Sequence, residues 1–149
     1  MDPHSTVLII EDTPDDVFIL KMALQREGII NPVQVVTGGQ EAIDYLCAKE
    51  PYNDRSKFPF PKVLFTDLKM PRIGGFDVLQ WLRDHPDCSV IPVIVLSASR
   101  LDEDVKRAYE MGANAYLVKP NNLEDLQRMV KTAFEFWQWC EVPQVAGKG

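Results

Sequence analysis

Five times along this chain a short apolar run is followed by a stretch with helical spacing, and that alternation limits the fold more than any other feature. The runs are Val7-Leu8-Ile9-Ile10, Val33-Gln34-Val35-Val36, Val63-Leu64-Phe65-Thr66, Val93-Ile94-Val95-Leu96 and Ala115-Tyr116-Leu117-Val118. Each is four residues long and rich in β-branched side chains, and most lack the polar alternation of a strand with one wet face, so they read as buried strands. Between them lie amphipathic helices. The first starts at Thr13-Pro14, with Thr13 as cap and Pro14 at the first helical position, carries Val17, Leu20 and Leu24 inward, and stops at Gly28. The second carries Ala42, Ile43, Leu46 and Cys47 inward, and the third Phe76, Leu79 and Leu82. The fourth runs from Asp102 to Met111 and the last from about Leu123 to Trp139. Strands alternating with helices argue an α/β fold, a parallel sheet covered on both faces with right-handed crossovers.

The flavodoxin-like, doubly wound strand order 2-1-3-4-5 accommodates five such units and puts its switch point between the first and third strands. The first run ends in Glu11-Asp12 and the third in Asp67, so acids far apart in sequence meet at one crevice outside the strand ends. The fourth run is followed by Ser97 and the fifth by Lys119-Pro120 at the same edge. Two carboxylates about 4 Å apart repel by ~4 kcal/mol at an effective dielectric near 20. The cluster must therefore raise a pKa, recruit a cation, or both. Lys119 offsets one charge, and the remainder suits Mg2+, which takes carboxylates, waters and phosphate oxygens. A nucleophilic carboxylate, a cation site, an ammonium and a hydroxyl together make a phosphoryl-transfer site with Asp67 as the phosphorylated residue. Singly, each has a plainer explanation: a loop serine, a surface lysine, acids preceding a helix.

Composition narrows the function further. The chain has 149 residues, 46% of them hydrophobic and 26% charged, which suits one compact domain spanning 1–149. A formal net charge of −6 without a basic cluster argues against nucleic acid and anionic membranes as partners. No apolar run approaches the ~18 residues of a membrane span, and the N-terminus lacks the basic region of a signal peptide. Three scattered cysteines, Cys47, Cys88 and Cys140, fit a reducing cytoplasm.

The order Glu11-Asp12, Asp67 with Met70-Pro71, Ser97 and Lys119-Pro120 resembles the receiver domain of bacterial two-component response regulators, over essentially the whole chain. The resemblance implies that Asp67 accepts phosphate from a histidine kinase, and that Asp12, Asp67 and the backbone carbonyl of Lys69 ligate Mg2+, with Glu11 nearby through water. It implies that Ser97 hydrogen-bonds the phosphoryl group, that Lys119 pairs with it, and that Tyr116 is the switch aromatic. It also implies a cis Lys119–Pro120 bond. Glu11 stands where Asp is commoner, which keeps the pocket's charge, and Lys69 and Ser99 occupy positions that tune phosphate lifetime in such domains. The Pro51–Lys62 stretch, read as an extended surface loop, the run Gly112-Ala113-Asn114-Ala115-Tyr116 and the segment Glu135-Phe136-Trp137 are similar to single-domain regulators paired with bacterial phytochrome kinases. The ten residues after the last helix are too few for a DNA-binding output domain.

Three other functions compete. A haloacid dehalogenase-type phosphotransferase needs a second Asp two residues after the nucleophile, where Lys69 stands. A flavodoxin-like electron carrier needs a phosphate loop after the first strand, and Glu11-Asp12-Thr13-Pro14 repels phosphate. A degenerate receiver serving only as an interaction module would have lost part of the acid–Ser–Lys set, and every member is present. The reading is therefore a phosphoacceptor signalling protein, an enzyme only in its own phosphorylation and dephosphorylation.

The last helix carries more apolar surface than one core needs. Leu123, Leu126, Val130, Ala133, Phe134 and Trp137 complete an inward stripe. Met129, Phe136 and Cys140 lie beside it and Trp139 further round. Either the Pro51–Lys62 loop or the C-terminal tail covers the excess, or a homodimer interface does; two large aromatics are the composition of an interface core, so a homodimer through this helix is expected.

Overall fold

The structure, a computed structural model, describes residues 2–145. Its elements are β1 (Val7–Ile10), α1 (Pro14–Arg26), β2 (Val33–Val36), α2 (Gly39–Leu46), β3 (Val63–Thr66), α3 (Gly75–Asp84), β4 (Val93–Ser97), α4 (Asp102–Glu110), β5 (Ala115–Val118) and α5 (Leu123–Trp139). All pairings are parallel and the sheet order is β2-β1-β3-β4-β5, the order predicted from the alternation. The fold is the flavodoxin-like α/β arrangement.

Because successive side chains on a strand point to opposite faces, a strand apolar at every position feeds two cores. Leu8, Ile10, Leu64, Val93 and Val95 join Ala42, Tyr45, Leu46, Val78, Leu79 and Leu82 on the side of α2 and α3. Val7, Ile9, Val63, Phe65, Ile94 and Leu96 join Leu20, Leu24, Leu126, Val130 and Phe134 on the side of α1 and α5. Phe65 and Phe134 stack nearly parallel there, with centroids 5.8 Å apart.

Several local expectations need correction. Thr13 caps α1 by position but makes no side-chain capping bond, so Pro14 and the first-turn acids Asp15 and Asp16 define that start. On α2, Cys47 is exposed and Ile43 half-buried, while Tyr45 is buried in their place. The reason lies in Pro51–Lys62, which is packed rather than extended. Tyr45, Tyr52 and Phe58 form an aromatic cluster with centroids 5.1 to 6.0 Å apart. Tyr45 Oη donates to the Pro59 carbonyl, and Arg55 donates to the carbonyls of Leu46 and Phe58. Glu50–Pro51 is the cis peptide among the described residues, so Lys119–Pro120 is trans, the lower-energy X–Pro isomer. In that form the Lys119 side chain already reaches the acid cluster. Beyond α5, Val145 is buried against the α2–α3 side of the sheet.

Two glycines set how closely α3 approaches β3. A Cβ on Gly75 would lie 2.2 Å from the Asp67 carbonyl oxygen, and one on Gly74 would lie 2.5 Å from that of Leu68. Gly75 N donates to the Leu68 carbonyl, and Asp77 Oδ2 accepts from Gly74 N at the helix start. The turn after Asp67 is thereby held against the N-terminus of α3.

Candidate functional site

The strand ends deliver the predicted residues to one place. β1 and β3 are neighbours in register, Ile10 opposite Thr66, so Glu11 and Asp67 emerge side by side. Asp67 N donates to the Ile10 carbonyl and Glu11 N to that of Val36, which fixes both backbones. Glu11, Asp12 and Asp67 each offer a carboxylate oxygen, and these oxygens lie within 4.8 Å of one another. Three hard oxygen donors at that spacing fit a hard cation with an oxygen shell. Glu11 is buried; Asp12 and Asp67 are half-buried and open to the crevice.

Lys119 closes the cluster from the end of β5, where its backbone N–H donates to the Ser97 carbonyl. Its Nζ lies 2.5 Å from Glu11 Oε1 and 3.2 Å from Asp67 Oδ2. A third partner is Asp16 Oδ2 at 2.9 Å, a residue that sequence reasoning missed. An acid in the first turn of a helix is fully accounted for by the dipole, so nothing in its spacing marks it as part of the site. Asp67 Oδ1 accepts from the Leu68 amide at 2.7 Å, which orients the carboxylate toward the crevice.

One ammonium among four carboxylates leaves the charge uneven. Burial is the strongest influence on Glu11 and pushes its carboxyl up to about 8, with Asp67 and Asp16 adding to the rise and Lys119 opposing it. For Lys119, burial alone would favour loss of the proton, but Glu11, Asp16 and Asp67 hold the ammonium well above its ordinary value. Asp16 falls below the usual carboxylate value because hydrogen bonds from Lys119 and Glu11 outweigh its desolvation. Burial and the neighbouring acids thus favour the protonated form of Glu11 when no cation is bound.

Ser97, the last residue of β4, is buried, and its Oγ accepts from Ser99 N at 3.2 Å. Tyr116 is half-buried on β5 and packs against the α2–α3 core, its Oη donating to the Ser99 carbonyl at 2.9 Å. Ser99 therefore joins the two expected switch residues, a link that spacing does not reveal. Ser99 Oγ also donates to Asp104 Oδ2 at 2.6 Å, and Lys69 Nζ pairs with the same carboxylate at 3.4 Å. The Lys69 side chain thus leads away from the acids.

On α5, Phe136 and Trp139 are 63% and 90% exposed, so among the described residues neither the Pro51–Lys62 loop nor the tail segment 140–145 covers them. Met129 differs from expectation: it is half-buried and packs on the α1–α5 core, because it borders the Leu126–Val130 stripe. Cys140 is half-buried at the helix end, its Sγ 3.5 Å from the Phe136 carbonyl. Met129, Phe136 and Cys140 line one groove along β5 and α5, with Leu117 and Trp137.

The family model for the response regulator receiver domain matches residues 7–131. Response regulator Rcp1 of Synechocystis sp. is 32% identical over 136 residues, 91% of this chain and 90% of that protein. A structure titled as response regulator RPA3017 in red light signaling of R. palustris superposes with a TM-score of 0.89 at 33% identity, covering 94% of this chain and 99% of that one. The phosphorylated cyanobacterial phytochrome response regulator RcpA gives a TM-score of 0.86 at 30% identity, with 95% and 99% covered. A Mn2+-bound form of Rcp1 gives 0.83 at 30% identity, with 94% and 99% covered.

Proposed function

This chain belongs to the response regulator receiver domain family, and on that premise we propose that Asp67 is its phosphoacceptor. The observation that carries the assignment is the meeting of Asp67 with Glu11 and Asp12 on one side and with Lys119 Nζ, at 3.2 Å, on the other. The proposed reaction forms a bond from an Asp67 carboxylate oxygen to phosphorus while the P–N bond of a kinase phosphohistidine breaks. The leaving imidazole keeps the electron pair and takes up a proton. Residues 1–149 act as one receiver domain in this reading.

Glu11, Asp12, Asp67 and the Lys69 backbone carbonyl are the proposed Mg2+ ligands, with Glu11 acting through water. Bound Mg2+ supplies charge neutralisation for the transferring phosphoryl oxygens. The protein's own groups do the rest. Leu68 N–H holds Asp67 in its rotamer. Lys119 turns a donor from Asp67 to the phosphoryl group. The Ser97 hydroxyl donates to a phosphoryl oxygen, and as it turns it leaves the Ser99 amide that it now accepts from. Ser99 also holds Tyr116 Oη, so the same movement frees the ring; Ser97 and Tyr116 are the proposed switch.

The proposed phosphodonor is a histidine kinase of the phytochrome type, supported by the likeness to Rcp1, RPA3017 and RcpA. The proposed setting is the cytoplasm, which the scattered placement of Cys47, Cys88 and Cys140 along the chain fits; no helix among the described residues is long and apolar enough to cross a membrane. A homodimer through α5 is proposed from the exposure of Phe136 and Trp139, with Met129 and Cys140 at its edge. The test of the assignment is incubation with acetyl phosphate and Mg2+: Asp12→Ala should lose the metal-dependent labelling, and full labelling of that variant in a chelator would remove the cation from the account.

A further inference from the structure

Lys119 has three donors and places all of them on carboxylates. Two of the partners, Glu11 and Asp67, belong to the cation cluster. Asp16 does not. It stands on α1, with its side chain 41% exposed, yet it turns from solvent toward an ammonium that is only 18% exposed. The dipole accounts for an acid at that position but not for this contact, which at 2.9 Å is shorter than the one from Lys119 to Asp67.

We propose that Asp16 is a positioning residue for phosphoryl transfer, mooring the Lys119 ammonium from the α1 side while its remaining donor passes from Asp67 to the arriving phosphoryl group. The proposal rests on the phosphoacceptor reading of Asp67. A lysine is a compact charge on a flexible four-carbon stem, so one contact fixes its distance but leaves its direction open. Glu11, following β1, and Asp16, on α1, hold it from two separate elements. Without Asp16 the ammonium has partners only inside the cation cluster. It is then drawn onto Glu11 and Asp67, where it competes with the cation and covers the nucleophile. Misplacement of a group by about 1 Å is enough to cost a large factor in rate.

The experiment compares wild type, Asp16→Asn and Asp16→Glu for their rate of labelling by acetyl phosphate at saturating Mg2+, followed by intact mass. Asp16→Asn should label about tenfold more slowly, and Asp16→Glu, which keeps the carboxylate, should recover most of the rate. Asp16→Asn labelling at the wild-type rate, or Asp16→Glu as slow as Asp16→Asn, overturns the proposal. In a Lys119→Ala background Asp16→Asn should cost nothing further, since the mooring acts through Lys119. An equal cost in both backgrounds shows a merely structural role and also overturns it. Metal-free protein supplies a second readout: the 1H–15N signal of the Lys119 ammonium should be protected from exchange in wild type and lost in Asp16→Asn, and equal protection in both counts against the mooring. Failure of wild type to label at all, or labelling of Asp67→Asn, strikes instead at the reading of Asp67.

Discussion

Glu11 carries the greatest electrostatic tension among the described residues, because burial pushes its carboxyl up to about 8 from the ordinary glutamate value of 4.5. The native state therefore binds a proton that the unfolded chain has released, and stability must fall as pH rises between those two values. Chelator-treated protein should lose stability on the order of a few kcal/mol from about pH 5 to pH 8. Glu11→Gln should flatten that slope, as read by urea unfolding across the range; an unchanged slope would place the proton elsewhere. Ser97 makes a second prediction at this scale. Its hydroxyl and the Tyr116 ring are joined through Ser99, so Ser97→Ala should still label at Asp67 but leave the Tyr116 ring signals unmoved on phosphorylation. A full Tyr116 response in that variant sends the switch by another route. Asp16 marks where residue-by-residue reading stops: its identity is explained locally, and only the fold brings it to Lys119.

Among the elements, the approach of α3 to β3 is the most constrained. With a Cβ only 2.2 Å from the Asp67 carbonyl oxygen, Gly75→Ala has to displace either the helix or the nucleophile's own backbone. Labelling should fall more steeply than stability in that variant; normal labelling kinetics would show that the turn yields elsewhere. On the opposite face, Phe134 is 2% exposed and stacked on Phe65, and Phe134→Ala should cost about 3–5 kcal/mol in unfolding free energy while leaving the acids in place. The bounds of β1, β2, β3, β5 and α5 agree with their apolar patterns because those segments are short and buried, or long and strongly periodic. Pro51–Lys62 was opaque for the converse reason. Its order comes from Tyr52, Phe58 and Arg55 meeting Tyr45 on α2, contacts that no local period encodes. The isomer of Lys119–Pro120 was equally hidden, since X–Pro energies differ by only about 0.5–1 kcal/mol before tertiary contacts act. The acid–acid–Ser–Lys order was legible because parallel α/β topology converts strand ends into a single edge.

At the scale of the whole molecule, two surfaces separate the proposed chemistry from the proposed association. The acids, Ser97 and Lys119 share the carboxyl edge of the sheet, whereas Phe136 and Trp139 stand exposed on α5, the element that follows Lys119 and β5. Phosphorylation can bias association if freeing Tyr116 reshapes β5, and a typical coupling of ~1–3 kcal/mol changes a dimer constant by about 5- to 150-fold. Sedimentation of wild type against a Phe136→Glu, Trp139→Glu variant should show a dimer only in wild type; a wild type monomeric at high concentration, with and without acetyl phosphate, rules the interface out. Everything else depends on Asp67. The most direct measurement is the intact mass of wild type and Asp67→Asn after incubation with acetyl phosphate and Mg2+. Wild type should gain one acid-labile phosphoryl group and Asp67→Asn none, whereas a phosphoryl group on Asp67→Asn at the wild-type rate would contradict the account.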